Sequence, residues 1–290
     1  MIPLTITDVR SIPGDSAFLI DDGTTAVLYD TGFGFTGYAV ADNVQRILGD
    51  RPLDYILLTH SHYDHALGSV YLRKRYPHVQ VVAGAYANKI FGKPTARAVM
   101  RDLDQKASEA SGVTAYEDLI DDLRADICVC DGDVIQCGQM QFTAVELPGH
   151  TKCSVGYYLA ENHLLLGSET LGVYFGEGVY LPSFLVGYQM TLDSIRKARQ
   201  MEIEQILLPH YGVVGGREAQ SYLSNGEETA KRVFHMISEQ LHFGKTTEEI
   251  LEYMTEVLYT EQVKPAYPYD AFRMNSEIMI KLVQRSQEAL

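Results

Sequence analysis

The feature that most constrains this chain is the hexad His60-Ser61-His62-Tyr63-Asp64-His65, which follows directly on an apolar run of strand length at 55–58. Three imidazoles and a carboxylate within six residues give a high local density of lone pairs for a borderline metal ion, and a constrained loop lowers the entropy of gathering them. Ahead of the strand, residues 40–48 place apolar side chains at helical spacing; behind the hexad a helical stretch runs to Tyr76-Pro77. Helix, buried strand, polar loop and helix make the β/α rhythm of a layered α/β sandwich, in which ligands collect where strands end.

The same punctuation recurs along the chain. Residues 17–20 and 25–29 flank Asp21-Asp22-Gly23 and end in Asp30-Thr31-Gly32, the pattern of a hairpin. A strand is expected at 79–83, followed at about 85–125 by a largely helical insert, broken at Gly92-Lys93-Pro94 and Ser111-Gly112 and positioned to roof a site. Strands are then predicted at 127–129, 134–136, 141–146 and 154–159, with the turn Leu147-Pro148-Gly149-His150 between the last two. A further strand, 163–166, ends in Gly167-Ser168-Glu169-Thr170; after a helix at 191–202, the strand 205–208 ends in Pro209-His210-Tyr211-Gly212. His60, His62, His65, His150 and His210 each fall just past a predicted strand, whereas His78, His163, His235 and His242 do not. A shared topological address for five histidines points to one site assembled from distant loops.

Beyond residue 216 the pattern turns helical. Thr246 and Glu249 have capping-box spacing, Ile250, Met254, Val257 and Leu258 mark one apolar face, and a last helix is expected at 271–288. We therefore expect a sandwich over 1–215 and a helical extension over 216–290 that packs on it, caps its pocket or forms a homodimer contact.

With these residues in view, Thr59 to His65, preceded by Asp30-Thr31-Gly32 and followed by Pro148-Gly149-His150 and His210, the chain resembles the metallo-β-lactamase fold superfamily over roughly residues 9 to 215. The resemblance implies a four-layer αβ/βα sandwich with a site on one edge between two sheets. It implies that His60, His62 and His150 hold one metal ion and that Asp64, His65 and His210 hold another. It also implies hydrolysis by a hydroxide bridging two divalent ions, with Asp64 orienting it. Zinc is the default, with iron or manganese as alternatives. Asp30 resembles an aspartate that steadies a ligand histidine, although a plain turn aspartate has the same sequence signature. The family usually carries Gly-Asp after the strand that 163–166 represents. Here Glu169 stands one residue later and one methylene longer, so its carboxylate serves as the bridging ligand only if the loop bulges.

A fainter likeness, in Leu207-Leu208-Pro209-His210-Tyr211-Gly212, Gly215-Gly216-Arg217 and the helical tail, points to thioesterase-like members, including the quinolone-signal response protein group. It implies cleavage of a thioester, ester or lactone of a small to medium acyl substrate. Tyr174, Phe175, Tyr180, Phe184 and Tyr188 are candidates for an apolar pocket wall and equally for ordinary core packing. The net charge of −14 argues against nucleic acid as a substrate, and hence against a phosphodiesterase, the alternative hydrolytic reading. A metal-containing regulatory protein with little catalysis is the alternative from another class. With no secretory leader or membrane-spanning window we expect a cytoplasmic protein, a context in which a β-lactamase role is disfavoured. Cys128, Cys130, Cys137 and Cys153 are expected as reduced, mostly packed thiols.

Overall fold

Apolar runs such as Ala26–Tyr29 and Leu164–Leu166 exist because both faces of their strands are covered. The computed structural model describes residues 1–288; positions 289 and 290, the end of the expected extension, lie outside the described residues. The first sheet has the order β1 (Thr5–Asp8), β2 (Phe18–Asp21), β3 (Ala26–Tyr29), β4 (Tyr55–Leu57), β5 (Gln80–Gly84) and β6 (Ile127–Val129). Its first three strands are antiparallel, and β3 to β6 run parallel. The second sheet is built from β7 (Val134–Cys137), β8 (Met140–Glu146), β9 (Val155–Leu159), β10 (Leu164–Leu166), β13 (Gln205–Leu208) and β14 (Gly212–Gly215). A short hairpin, β11 (Val173–Tyr174) with β12 (Tyr180–Leu181), stands apart.

The period of two in each strand sorts its side chains between layers. Phe18, Ile20, Val27, Tyr29 and Leu57 meet Phe142, Tyr157, Leu159, Leu164, Leu166 and Leu207 between the sheets. The alternate residues Leu19, Leu28 and Ile56 face α1 (Gly37–Leu48), α3 (Gly68–Arg75), α4 (Ala85–Phe91) and α5 (Pro94–Ala110), with the single-turn helix α2 (Tyr63–Ala66) carrying the end of the hexad, Asp64 and His65, into that layer. On the far side Leu165, Ile206 and Leu208 pack under α6 (Tyr188–Arg199) and the first half of α7 (Gly216–His242). The layers are thus helix, sheet, sheet, helix, the expected αβ/βα sandwich. The second half of α7 packs with α8 (Thr247–Leu258), α9 (Tyr269–Glu288) and the β11–β12 hairpin in a separate apolar cluster. Thr246 caps α8 through the expected capping box. None of the described helices is long and apolar enough to cross a membrane.

Four expectations are corrected. The insert is α-helical only to Ala110: Gly112 takes a positive φ, and residues 113–125 are irregular apart from one tight turn at Ile120–Asp122, tied to α5 by the ion pairs of Arg101 with Asp118 and Asp121. Strands β1, β11, β12 and β14 were not anticipated, being two to four residues long or flanked by glycine. All four thiols are free, but only Cys137 and Cys153 are packed; Cys128 and Cys130 are exposed at the β6 edge. Of the aromatic residues offered as pocket wall, Tyr174 and Tyr180 stack with Tyr222 and Phe184 is fully buried, so these three are core.

Candidate metal centre

The site residues gather at one edge of the sandwich, where strands end: Asp30 after β3, His60 and His62 on the loop after β4, Asp64 and His65 on α2 that continues that loop, His150 after β8, Glu169 after β10 and His210 after β13. Strand register alone brings these loops together across the sheets. The loops are then fixed by specific bonds. The Thr31 amide (2.9 Å) and hydroxyl (2.7 Å) both donate to the His65 carbonyl, and a Cβ on Gly68 would overlap the Thr31 carbonyl oxygen, so only glycine lets α3 start there. Gly149 plays a similar part, with φ near +152° and no room for a side chain beside Thr191 of α6. Asp30 and His210 hold positive φ values of 53° and 62°, a conformation a side chain adopts at some cost, and the Arg10 guanidinium anchors His210 by donating to its carbonyl.

The coordinating atoms fall into two adjoining groups. His60, His62, His150 and Glu169 offer ligand atoms within 4.8 Å of one another, and so do Asp64, His65 and His210. Glu169 lies between the groups. One carboxylate oxygen sits 2.7 Å from His150 Nε2 and 3.8 and 3.9 Å from His60 and His65 Nε2; the other sits 3.3 Å from His210 Nε2. No bulge is needed: Glu169 opens a tight helical turn, Glu169–Leu171, which aims its longer side chain inward.

Outside the cluster, most ring nitrogens are already engaged. His65 Nδ1 pairs with the Asp30 carboxylate at 2.7 Å, His60 Nδ1 lies 3.0 Å from the Thr59 hydroxyl, and His150 Nδ1 lies 2.6 Å from Ser183 Oγ. His210 Nδ1 faces the Gly14 and Asp15 carbonyls at 3.1 and 3.2 Å. Asp30 itself is buried and accepts from Ser16 Oγ, Thr59 N and Thr59 Oγ1 as well. Such outer partners fix the tautomer and turn the other nitrogen inward. Asp30 is therefore more than a turn residue. Ser183, thirty-three positions from His150, was missed because nothing in its local sequence marks it.

The inner nitrogens fit a cation. His60 Nε2 is buried with no hydrogen-bond partner, while His62 Nδ1 and His150 Nε2 approach to 3.0 Å and His65 Nε2 and His210 Nε2 to 3.1 Å. Burial, reinforced by the neighbouring histidines, pushes the His60 and His62 imidazoles below their ordinary pKa, His62 to about 3, so both present neutral lone pairs. Burial opposes charge on His65 too, but Asp64, Asp30 and Glu169 hold its pKa up to about 9; a cation here would take the place of that proton. For Glu169, burial is outweighed by His150 and His210, which hold the carboxyl well below its usual range.

A model of the metallo-beta-lactamase superfamily matches residues 14–210, more than half of the chain. The chain is 28% identical to a hydroxyacylglutathione hydrolase of Stenotrophomonas maltophilia over 180 residues, 61% of this chain and 54% of that protein. It is 24% identical to an acyl-coenzyme A thioesterase, MBLAC2, of Gallus gallus over 183 residues, 61% of this chain and 63% of that one. The chain spans about half the length of the first curated relatives it matches. In fold it is similar to a solved archaeal metallo-beta-lactamase superfamily protein from Sulfolobus tokodaii, with a TM-score of 0.63 at 17% identity, covering 98% of this chain and 99% of that one.

Proposed function

The chain belongs to the metallo-beta-lactamase superfamily, and from that premise we propose that it hydrolyses acyl thioesters at a pair of divalent metal ions. The observation that carries this reading is the meeting of two ligand groups at one edge with the Glu169 carboxylate between them. His60, His62 and His150 would hold one ion, Asp64, His65 and His210 the other, and Glu169 would bridge. Zinc suits this mixture of imidazole and carboxylate, as do iron and manganese. Ions bound there would acidify a water and polarise the acyl carbonyl.

The chain's own groups supply the rest. Asp64 is the most accessible carboxylate of the site, its side chain 22% exposed, and it is the group we assign to orient the attacking water and receive its proton. Glu169 stays ionised and adds the negative charge that a dicationic centre needs. Asp30, through His65 Nδ1, and Ser183, through His150 Nδ1, keep the ligand rings from turning. A thiol leaves readily as the thiolate, given its ordinary pKa of about 8.5, so a thioester asks less of a proton donor at this site than an amide does. The names of the hydroxyacylglutathione hydrolase and acyl-coenzyme A thioesterase relatives support the same class.

The test is a panel of acyl thioesters, lactones and phosphodiesters offered to zinc-loaded protein. Thioesters should turn over fastest, and His62→Ala should lower that rate by about a thousandfold or more. Silence across the panel with metal bound would favour a regulatory protein instead.

A further inference from the structure

Lys152 and residues 185–190 line one side of an open groove of about 960 Å³. Leu185, Val186, Tyr188, Met190, Phe234 and Leu282 give it an apolar lining, and Lys152, Lys281 and Arg285 give that lining positive charge. In a chain with 38 acidic residues against 24 basic ones, the described lining of this groove contains three cations and no carboxylate. Lys281 has one acidic neighbour, Glu277, 3.8 Å away on the same helix.

The groove is tied to the site by its walls. Lys152 stands two residues after His150; the Val186 amide donates to the Gly149 carbonyl at 3.0 Å; and Ser183, on the same segment, sits against His150. The opposite wall belongs to α7 and α9, and the stack of Tyr188 on Phe234, with centroids 3.9 Å apart and planes at 15°, braces the two walls together. An apolar lining that carries cations complements an amphipathic anion, and guanidinium and ammonium groups are suited to phosphate oxygens.

We infer that this groove holds the phosphate-bearing carrier of the acyl thioester, so that α9 selects substrates by their leaving group. The inference rests on the thioester reading above. It gives the C-terminal helices a role in recognition, with Lys281 and Arg285 on phosphate and the apolar lining against the carrier arm.

Calorimetric titration of the zinc-loaded full chain with coenzyme A and with pantetheine, which lacks the phosphates, tests it by binding alone. Wild type should bind coenzyme A about tenfold or more tightly than pantetheine, with an advantage that shrinks as salt rises. In Lys281→Gln/Arg285→Gln, checked for an unchanged melting temperature, that advantage should fall below about threefold. Equal affinity of wild type for the two compounds, or an undiminished advantage in the double variant, would overturn the inference. So would a dimer that covers the groove and that coenzyme A does not dissociate. The two readings fail separately. Selective coenzyme A binding without hydrolysis of any thioester would remove the proposed function and leave the groove. Hydrolysis of phosphate-free and phosphate-bearing thioesters alike, with no coenzyme A binding, would do the reverse.

Discussion

Glu169 and Glu227 are both shielded from solvent, at 6% and 4% exposed, yet their surroundings differ in kind. Glu227 lies in α7, where Arg196 and Arg199 of α6 and Lys231 reach it at 3.1, 2.8 and 3.0 Å. Burial raises its pKa, but these permanent cations outweigh that and hold it below the ordinary range. Glu169 has imidazoles instead, and they also face one another at 3.0 and 3.1 Å, leaving His60 Nε2 without a partner. One carboxylate is balanced by the chain and pins two helices together. The other is balanced by imidazoles, groups that can exchange their protons for a cation, which is the chemistry expected of a metal site rather than of a structural ion cluster.

Substitutions can break this contrast in a graded way. Of the substitutions that bear on the two glutamates, Glu169→Ala should have the largest effect, lowering metal content below two ions per chain and thioester turnover by about a hundredfold or more, as read by elemental analysis beside a rate assay. An unchanged metal count would remove Glu169 from the ligand set. Asp30→Asn, which keeps the size of the group but weakens its hold on His65 Nδ1, should cost about 10- to 100-fold in metal affinity or activity. Glu227→Gln should leave metal content intact and destabilise the fold by about 2 kcal/mol, since its partners are half exposed and recover water. A melting temperature equal to wild type would undo the structural role assigned to it.

Asp104 offers a milder case between these two. Its carboxylate is buried, accepts from Gly34 N at 2.8 Å and the Tyr116 hydroxyl at 2.6 Å, and ties α5 to the loop beside α2. Burial raises its pKa from 3.8 to about 6, against the effect of those bonds. The ionised form is therefore disfavoured in the fold, fully so above about pH 6 and not at all once both states are protonated below 3.8. Wild type should gain on Asp104→Asn by on the order of 2 kcal/mol as pH falls from 7 to 4, measured by thermal melts of both proteins. A difference that does not vary with pH would contradict the raised pKa.

Much of the sandwich was legible because its strands are covered on both faces, which writes them as apolar runs ended by polar turns. The site was legible for the same reason: His60, His150 and His210 are conspicuous because each breaks such a run. What stayed hidden depends on distance in sequence. Nothing near Ser183 marks it as the partner of His150, and the short turn that aims Glu169 is fixed by packing of Leu171 beneath it rather than by local pattern. The irregular stretch 113–125 looked helical because its ion pairs with Arg101 are not visible as periodicity. Among the aromatic residues after Glu169, local pattern does not separate Tyr174 and Tyr180, which pack on Tyr222, from Tyr188, which lines the groove.

The contrast between the two glutamates requires Glu169 to sit between two cations as Glu227 sits among three. An anomalous difference map at the zinc edge, from crystals grown with zinc, tests this most directly. We predict one peak about 2.0–2.2 Å from His60, His62 and His150 nitrogens, a second at that distance from Asp64, His65 and His210, and Glu169 oxygens in reach of both. Zinc bound elsewhere, with this loop edge empty, would contradict it.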